Sequence, residues 1–126
     1  MTRDEIVISP LNKTWVFDLD GTLVKHNGYM IDGHDTLLDG AKDFIDNISD
    51  DDMIIIITAR ELKYSAQTID FLKSESIRYD QIIFGAPFGE RILINDRKPS
   101  GLAMAVAVNT DRDVFMENHF KINKDL

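Results

Sequence analysis

The chain reads as an α/β domain built on a mainly parallel, five-stranded sheet flanked by helices. Three observations carry that expectation. Two apolar runs of β-formers, Trp15-Val16-Phe17 and Met53-Ile54-Ile55-Ile56-Ile57, lack polar alternation, so each is expected to be a strand buried on both faces. Between them Ala41, Phe44, Ile45 and Ile48 recur at i, i+3, i+4 and i+7, one apolar face of a helix. Both runs end in polar groups, Asp18-Leu19-Asp20 and Thr58-Ala59-Arg60, at the strand end where open α/β sheets gather their ligands.

The 126 residues suffice for one domain with a single core, expected to span 1–126. Apolar content of 44% and charged content of 29% are those of an ordinary globular protein. A formal charge of −8 speaks against a nucleic-acid partner bound through a basic patch, because phosphate contacts need clustered Lys and Arg. With no cysteine, thiolate chemistry and disulfides are excluded. Residues 1–5 lack the apolar core of a signal peptide and no run reaches membrane-spanning length, so a cytoplasmic protein without a membrane partner is expected.

Taken in order, Ile6-Val7-Ile8 is read as an edge element or ordered arm, closed by a turn at Ser9-Pro10-Leu11-Asn12. Trp15-Val16-Phe17 is expected as the first core strand, with Asp18 and Asp20 just past its carboxyl end. Residues 21–38, with Gly28, Gly33 and little periodicity, are expected as a small flap over the acidic pair. His26 and His34-Asp35 lie in that flap without the spacing of a metal site. Asp39 offers an N-cap for a helix ending near residues 47–49. Asp50-Asp51-Asp52 is a solvated turn, since consecutive side chains diverge. After the strand at 53–57, Leu62, Ala66, Ile69 and Leu72 mark a second helix. Further strands are expected at 81–84, cut off by Gly85-Ala86-Pro87, at 91–94, ending in Asn95-Asp96, and at 104–108. Too few residues separate 84 from 91 for a helical crossover, so an extended return to the opposite sheet edge is preferred; it puts Asp96 beside Asp18 and Asp20. Lys98-Pro99-Ser100-Gly101 is a turn, and residues 110–126 are expected as an amphipathic helix around Val114, Phe115 and Phe120.

Two carboxylates crowded at a strand end call for a cation, and a hard divalent ion such as Mg²⁺ answers that need. At Thr58, a hydroxyl and backbone N–H groups opening a helix can hold an anion. In a parallel sheet the ends at Asp18, Thr58 and Asn95-Asp96 face one edge.

Asp18-Leu19-Asp20-Gly21-Thr22-Leu23, followed by Thr58 and then Asn95-Asp96, resembles the first, second and fourth motifs of the haloacid dehalogenase superfamily, most of whose members are phosphatases and phosphotransferases. The likeness covers residues 14 to about 109. It implies a Rossmann-like fold and a Mg²⁺-dependent phosphomonoesterase acting through an aspartyl-phosphate on Asp18. It also implies that Asp18, the Asp20 backbone carbonyl and Asp96 hold the metal, that Asp20 serves as general acid and then base, and that Thr58 holds phosphoryl oxygens. Asn95 would orient Asp96. The chain has no room for a large cap domain, so an open site is expected, covered by the flap or by a neighbouring subunit of a homo-oligomer, and suited to a small phosphorylated metabolite such as a sugar phosphate or nucleotide.

The pattern departs from the family at one place. Small relatives resembling the sugar-phosphate phosphatases of surface-polysaccharide clusters carry a Gly-Lys-Pro turn, and here it is Gly85-Ala86-Pro87. Lys98 or Arg60 is expected to supply the phosphate-binding cation in its place, since Arg91 starts a strand about 10 Å long. Two alternatives remain from other classes: a phosphate-binding scaffold without turnover, and a phosphorylatable receiver. Receivers place the phosphorylated Asp at the third strand end, where this chain has Phe84-Gly85-Ala86.

Overall fold

A computed structural model of the chain describes residues 4–126; residues 1–3, the start of the expected N-terminal arm, lie outside the described residues. Along the chain run β1 (Glu5–Ile8), β2 (Thr14–Asp18), α1 (Gly28–Ile31), α2 (Ala41–Asp46), β3 (Met53–Ile57), a 3₁₀ turn at Leu62–Tyr64, α3 (Ser65–Ser74), β4 (Gln81–Ile83) and β5 (His119–Ile122). The fold is α/β with parallel sheets, as expected. The chain gathers into two compact units: Asn12–Pro87 with Thr110–Met116, and the described part of Met1–Leu11 with Phe88–Asn109 and Glu117–Leu126.

The first of these units holds a sheet in the order β2-β3-β4, all parallel. α2 connects β2 to β3, and α3 connects β3 to β4, the arrangement that parallel neighbours require. Thr14 lies opposite Met53 and Asp18 opposite Ile57, so both strands end level. Phe17, Ile54 and Ile56 are buried from one sheet face, and Ala41 and Ile45 of α2 and Leu72 of α3 belong to the same cluster. Each fully buried Ile or Leu in this cluster contributes about 1.5–3 kcal/mol. Trp15 meets Phe44 edge-on against it, ring centres 5.5 Å apart, and Phe115 packs on Phe44 with its ring tilted by 56°. The other sheet face is open: Val16 is 56% exposed and Ile83 45%. The expectation of strands buried on both faces is therefore corrected. Side chains alternate along a strand, and both helices feed the single cluster under the even face of β3.

The helices also differ in detail. α2 starts after Gly40, in a left-handed conformation (φ 90°), and Asp39 makes no cap. Of the stripe expected through Leu62, Ala66, Ile69 and Leu72, Leu72 is fully buried, whereas Leu62, Ala66 and Ile69 are exposed; inside α3 the buried pair is Thr68 and Leu72, at i and i+4. Leu62 lies outside α3, in the 3₁₀ turn at Leu62–Tyr64. In the acidic turn, Asp52 is anchored, accepting the Lys13 N–H at 2.9 Å and the Trp15 indole N–H at 3.0 Å.

In the second unit β1 and β5 pair in parallel, Glu5 opposite His119 and Ile8 opposite Ile122. The expected strands at 91–94 and 104–108 are not formed, so the five-stranded sheet is replaced by one of three strands and one of two. A strand exists only with a ladder partner, and among the described residues neither segment has one. The turn at 98–101 is present, with the Gly101 N–H donating to the Lys98 carbonyl. The helix expected over 110–126 is also absent. Asp113 adopts a left-handed backbone (φ 65°) that ends any helix there, and the chain continues into β5. Among the described residues, no helix is long and apolar enough to cross a membrane.

Candidate functional site

β2 delivers Asp18 to the carboxyl end of the sheet, and a tight turn follows. The Leu19 carbonyl accepts the N–H groups of Thr22, Leu23 and Val24, while buried Leu19 and Leu23 pin the turn to the core. Gly21 sits at φ 81°, where a side chain would be strained, and donates its N–H to the Val24 carbonyl at 2.7 Å. The turn folds Thr22 back so that its hydroxyl donates to Asp18 Oδ2 at 3.0 Å.

Beyond the turn, the chain forms the expected small flap. Lys25 N–H donates to the Thr36 carbonyl and Leu38 N–H to the Leu23 carbonyl, closing its base. α1 sits at the tip, where Lys25 Nζ bridges to Asp32 at 2.8 Å. The segment Thr110–Met116 straps this turn from the side. Asp113 donates its N–H to the Gly21 carbonyl at 2.9 Å and accepts the His26 N–H on its carboxylate at 2.7 Å. The side chain of exposed Arg112 lies beside Gly21, its Cγ 3.2 Å from where a Gly21 Cβ would stand.

Arg60 is the centre of the site. Its side chain is 1% exposed, and all five of its N–H donors are used. Nε and Nη2 donate to the two oxygens of Asp20, each at 2.9 Å. Nη1 and Nη2 donate to the two oxygens of Asp35, at 2.9 and 2.6 Å. The remaining Nη1 hydrogen goes to Thr68 Oγ1 at 3.0 Å, and that hydroxyl donates in turn to the Tyr64 carbonyl. The Tyr29 ring of α1 covers the guanidinium at 3.9 Å and meets Tyr64 edge-on. Burial by itself weakens the hold of Arg60 on its proton, but hydrogen bonds and charge from Asp20 and Asp35 outweigh that and raise its pKa above the ordinary arginine value. Burial first, and Asp20 second, push the Tyr29 hydroxyl up.

The end of β3 and the end of β4 are tied together here. Thr58 N–H donates to the Ile83 carbonyl, and the Thr58 hydroxyl oxygen accepts the Arg60 N–H at 3.1 Å. Gly85, at φ 72°, donates to the Arg60 carbonyl and Ala86 to the Thr58 carbonyl. The Gly85-Ala86-Pro87 turn therefore lies against Thr58 and Arg60, and at the position of the expected lysine it carries only a methyl group.

Of the residues expected in the site, Asp18, Asp20, Thr58 and Arg60 come together in the first unit. Asp96 and Lys98 belong to the second, both exposed, where the Asn95 amide donates to the Asp96 carbonyl. Thr58 is 1% exposed and serves the turn, and Arg60 has no donor left for a phosphoryl oxygen. Among the described residues no three acids or histidines gather as a ready metal cage. Sequence reasoning missed Asp35, Thr68, Tyr29 and Arg112. A buried arginine demands carboxylate partners, but nothing in the spacing says that the flap supplies one 25 residues upstream. In comparisons with known proteins, no family model, curated protein or solved structure matches the chain.

Proposed function

We propose that the chain is a dehalogenase-like, Mg²⁺-dependent phosphomonoester hydrolase of the cytoplasm, acting on small phosphorylated metabolites. The observation that carries this is the placing of Asp18 and Asp20 at and just past the carboxyl end of a parallel strand, with Asp20 held by a buried arginine from the next strand end.

The donors at the strand end suit a hard cation: the Asp18 carboxylate and the Asp20 backbone carbonyl, since the Asp20 carboxylate is engaged by Arg60. Mg²⁺ commonly takes one or two carboxylates and completes its shell with water and phosphate oxygens. Asp96 is the third ligand in the family pattern. Three carboxylates stand against one guanidinium, a formal excess of two negative charges that opposes a phosphate dianion. Bound there, Mg²⁺ would supply the offsetting charge.

An Asp18 oxygen attacks phosphorus as the ester P–O bond breaks, and Asp20, which enters this step protonated and leaves it as the carboxylate, gives its proton to the departing alkoxide. Asp20 then takes a proton from water as that water's oxygen bonds to phosphorus, releasing inorganic phosphate and restoring Asp18. Hydrolysis of an aryl phosphate, measured with and without Mg²⁺, tests this. Activity that needs the ion and disappears in Asp18→Asn is expected. Phosphate binding without turnover, the outcome favoured if the methyl of Ala86 leaves the site too poor in cations, would overturn it.

A further inference from the structure

We infer that Asp35 and Arg60 form a positioning pair that aims Asp20 from the flap, so that proton transfer to the leaving group depends on a flap residue that never meets the substrate. This rests on the phosphatase proposal and goes beyond it. Asp20 stands on a turn and is held from one side by two parallel N–H···O bonds from Arg60, which fix both the plane and the direction of its carboxylate. Arg60 in turn cannot rotate. Asp35 grips its far edge through two further bonds, Thr68 takes the fifth donor, and Tyr29 closes the face. The chain of contacts runs flap, guanidinium, Asp20, and each link is bidentate. A carboxylate has about four lone-pair sites, so while Arg60 occupies one on each oxygen Asp20 keeps a site that can carry the proton given to the leaving alkoxide and later accept one from water. Asp35 has its side chain 2% exposed and Asp20 16%, so the inner carboxylate anchors and the outer one faces the reaction.

A purely structural ion pair would lower every activity together. An aiming role instead separates substrates by their need for a proton. An alkyl phosphate must have its leaving oxygen protonated, whereas a nitrophenyl phosphate loses a stable phenolate without help. The experiment measures kcat/KM for one alkyl and one nitrophenyl phosphate on wild type, Asp35→Asn and Thr68→Val, with Asp18→Asn as the blank. Asp35→Asn turns an acceptor oxygen into an NH₂ that faces the guanidinium donors. Its alkyl/aryl ratio of kcat/KM should fall about 30-fold, within the range of general acid catalysis, and its nitrophenolate burst should persist. Thr68→Val, a gentler change, should lower the ratio about threefold. The ratio is independent of how much protein is folded, so poor folding of the first variant does not blur it. Equal losses on both substrates in Asp35→Asn and Thr68→Val overturn the positioning role and leave the phosphatase standing. Wild type without activity on either substrate overturns the phosphatase, and the positioning role with it.

Discussion

Two stretches of the chain carry the same pattern, residues 53–60 and residues 91–98. Each is an isoleucine-rich run that ends in polar residues and then a cation. In the first, β3 has parallel partners on both sides, Ile54 and Ile56 are fully buried, and the run delivers Thr58 and Arg60 into a network of hydrogen bonds. In the second, no strand forms, Ile92 is 82% exposed and Ile94 91%, and the polar end makes a local turn. The two differ in what surrounds them along the chain. β3 is flanked by α2 and α3, which cover its even face, whereas no helix is assigned among the described residues after Ser74. Strand propensity is a matter of fitting a half-buried pleated surface, and the flanking helices build that surface for one run and not for the other.

The largest effect should come from cutting the network at the end of the first stretch. Arg60→Ala leaves Asp20 and Asp35 facing each other without their shared cation, and it should cost about 3–5 kcal/mol in urea unfolding. A loss below 1 kcal/mol would mean that the guanidinium is not buried between them. Next, the two runs can be compared directly by truncation. Ile56→Ala should cost about 2–5 kcal/mol, while Ile94→Ala should stay within about 0.5 kcal/mol. Equal losses would place 91–94 in a core and would overrule the exposed arrangement.

Turnover sharpens the comparison further. With the donors of Arg60 spent on two carboxylates and Thr68, the proposed phosphatase needs its phosphate-binding cation from elsewhere. Lys98→Ala is expected to lower turnover about tenfold, equal to roughly 1.4 kcal/mol. Arg112→Ala, which removes the arginine beside Gly21, tests the rival position in the first unit. A loss in the second variant and none in the first would reassign the cation to Arg112. The smallest effect is one of metal dependence: Asp96→Ala should raise the Mg²⁺ concentration needed for half-maximal rate, and Asp51→Ala, in an exposed turn, should not. Equal shifts in the two would remove Asp96 from the metal site.

Residues whose structure is set by near neighbours were legible in the sequence. The bounds of β2 and β3, the turn after Asp20 and the flap all follow from apolar runs and from glycines at positive φ. Contacts between distant segments were not. Arg60 read as a phosphate ligand because a cation two residues past Thr58 looks outward-facing, yet Asp35 and Thr68, brought in by the flap and by α3, turn it inward. The inward face of α3 holds Thr68 beside Leu72 because the Thr68 hydroxyl serves Arg60, and the strand at 91–94 lacks a ladder partner, neither of which a periodic apolar pattern reveals.

In the proposed reaction Asp18 becomes covalently phosphorylated. The most direct measurement is to quench the protein during turnover of an aryl phosphate, reduce the acyl phosphate with borohydride, and locate the modified residue by mass spectrometry. Modification confined to the peptide carrying Asp18, dependent on Mg²⁺ and absent from Asp18→Asn, is the expected result. Steady hydrolysis with no modification at Asp18, or undiminished hydrolysis by Asp18→Asn, would contradict it.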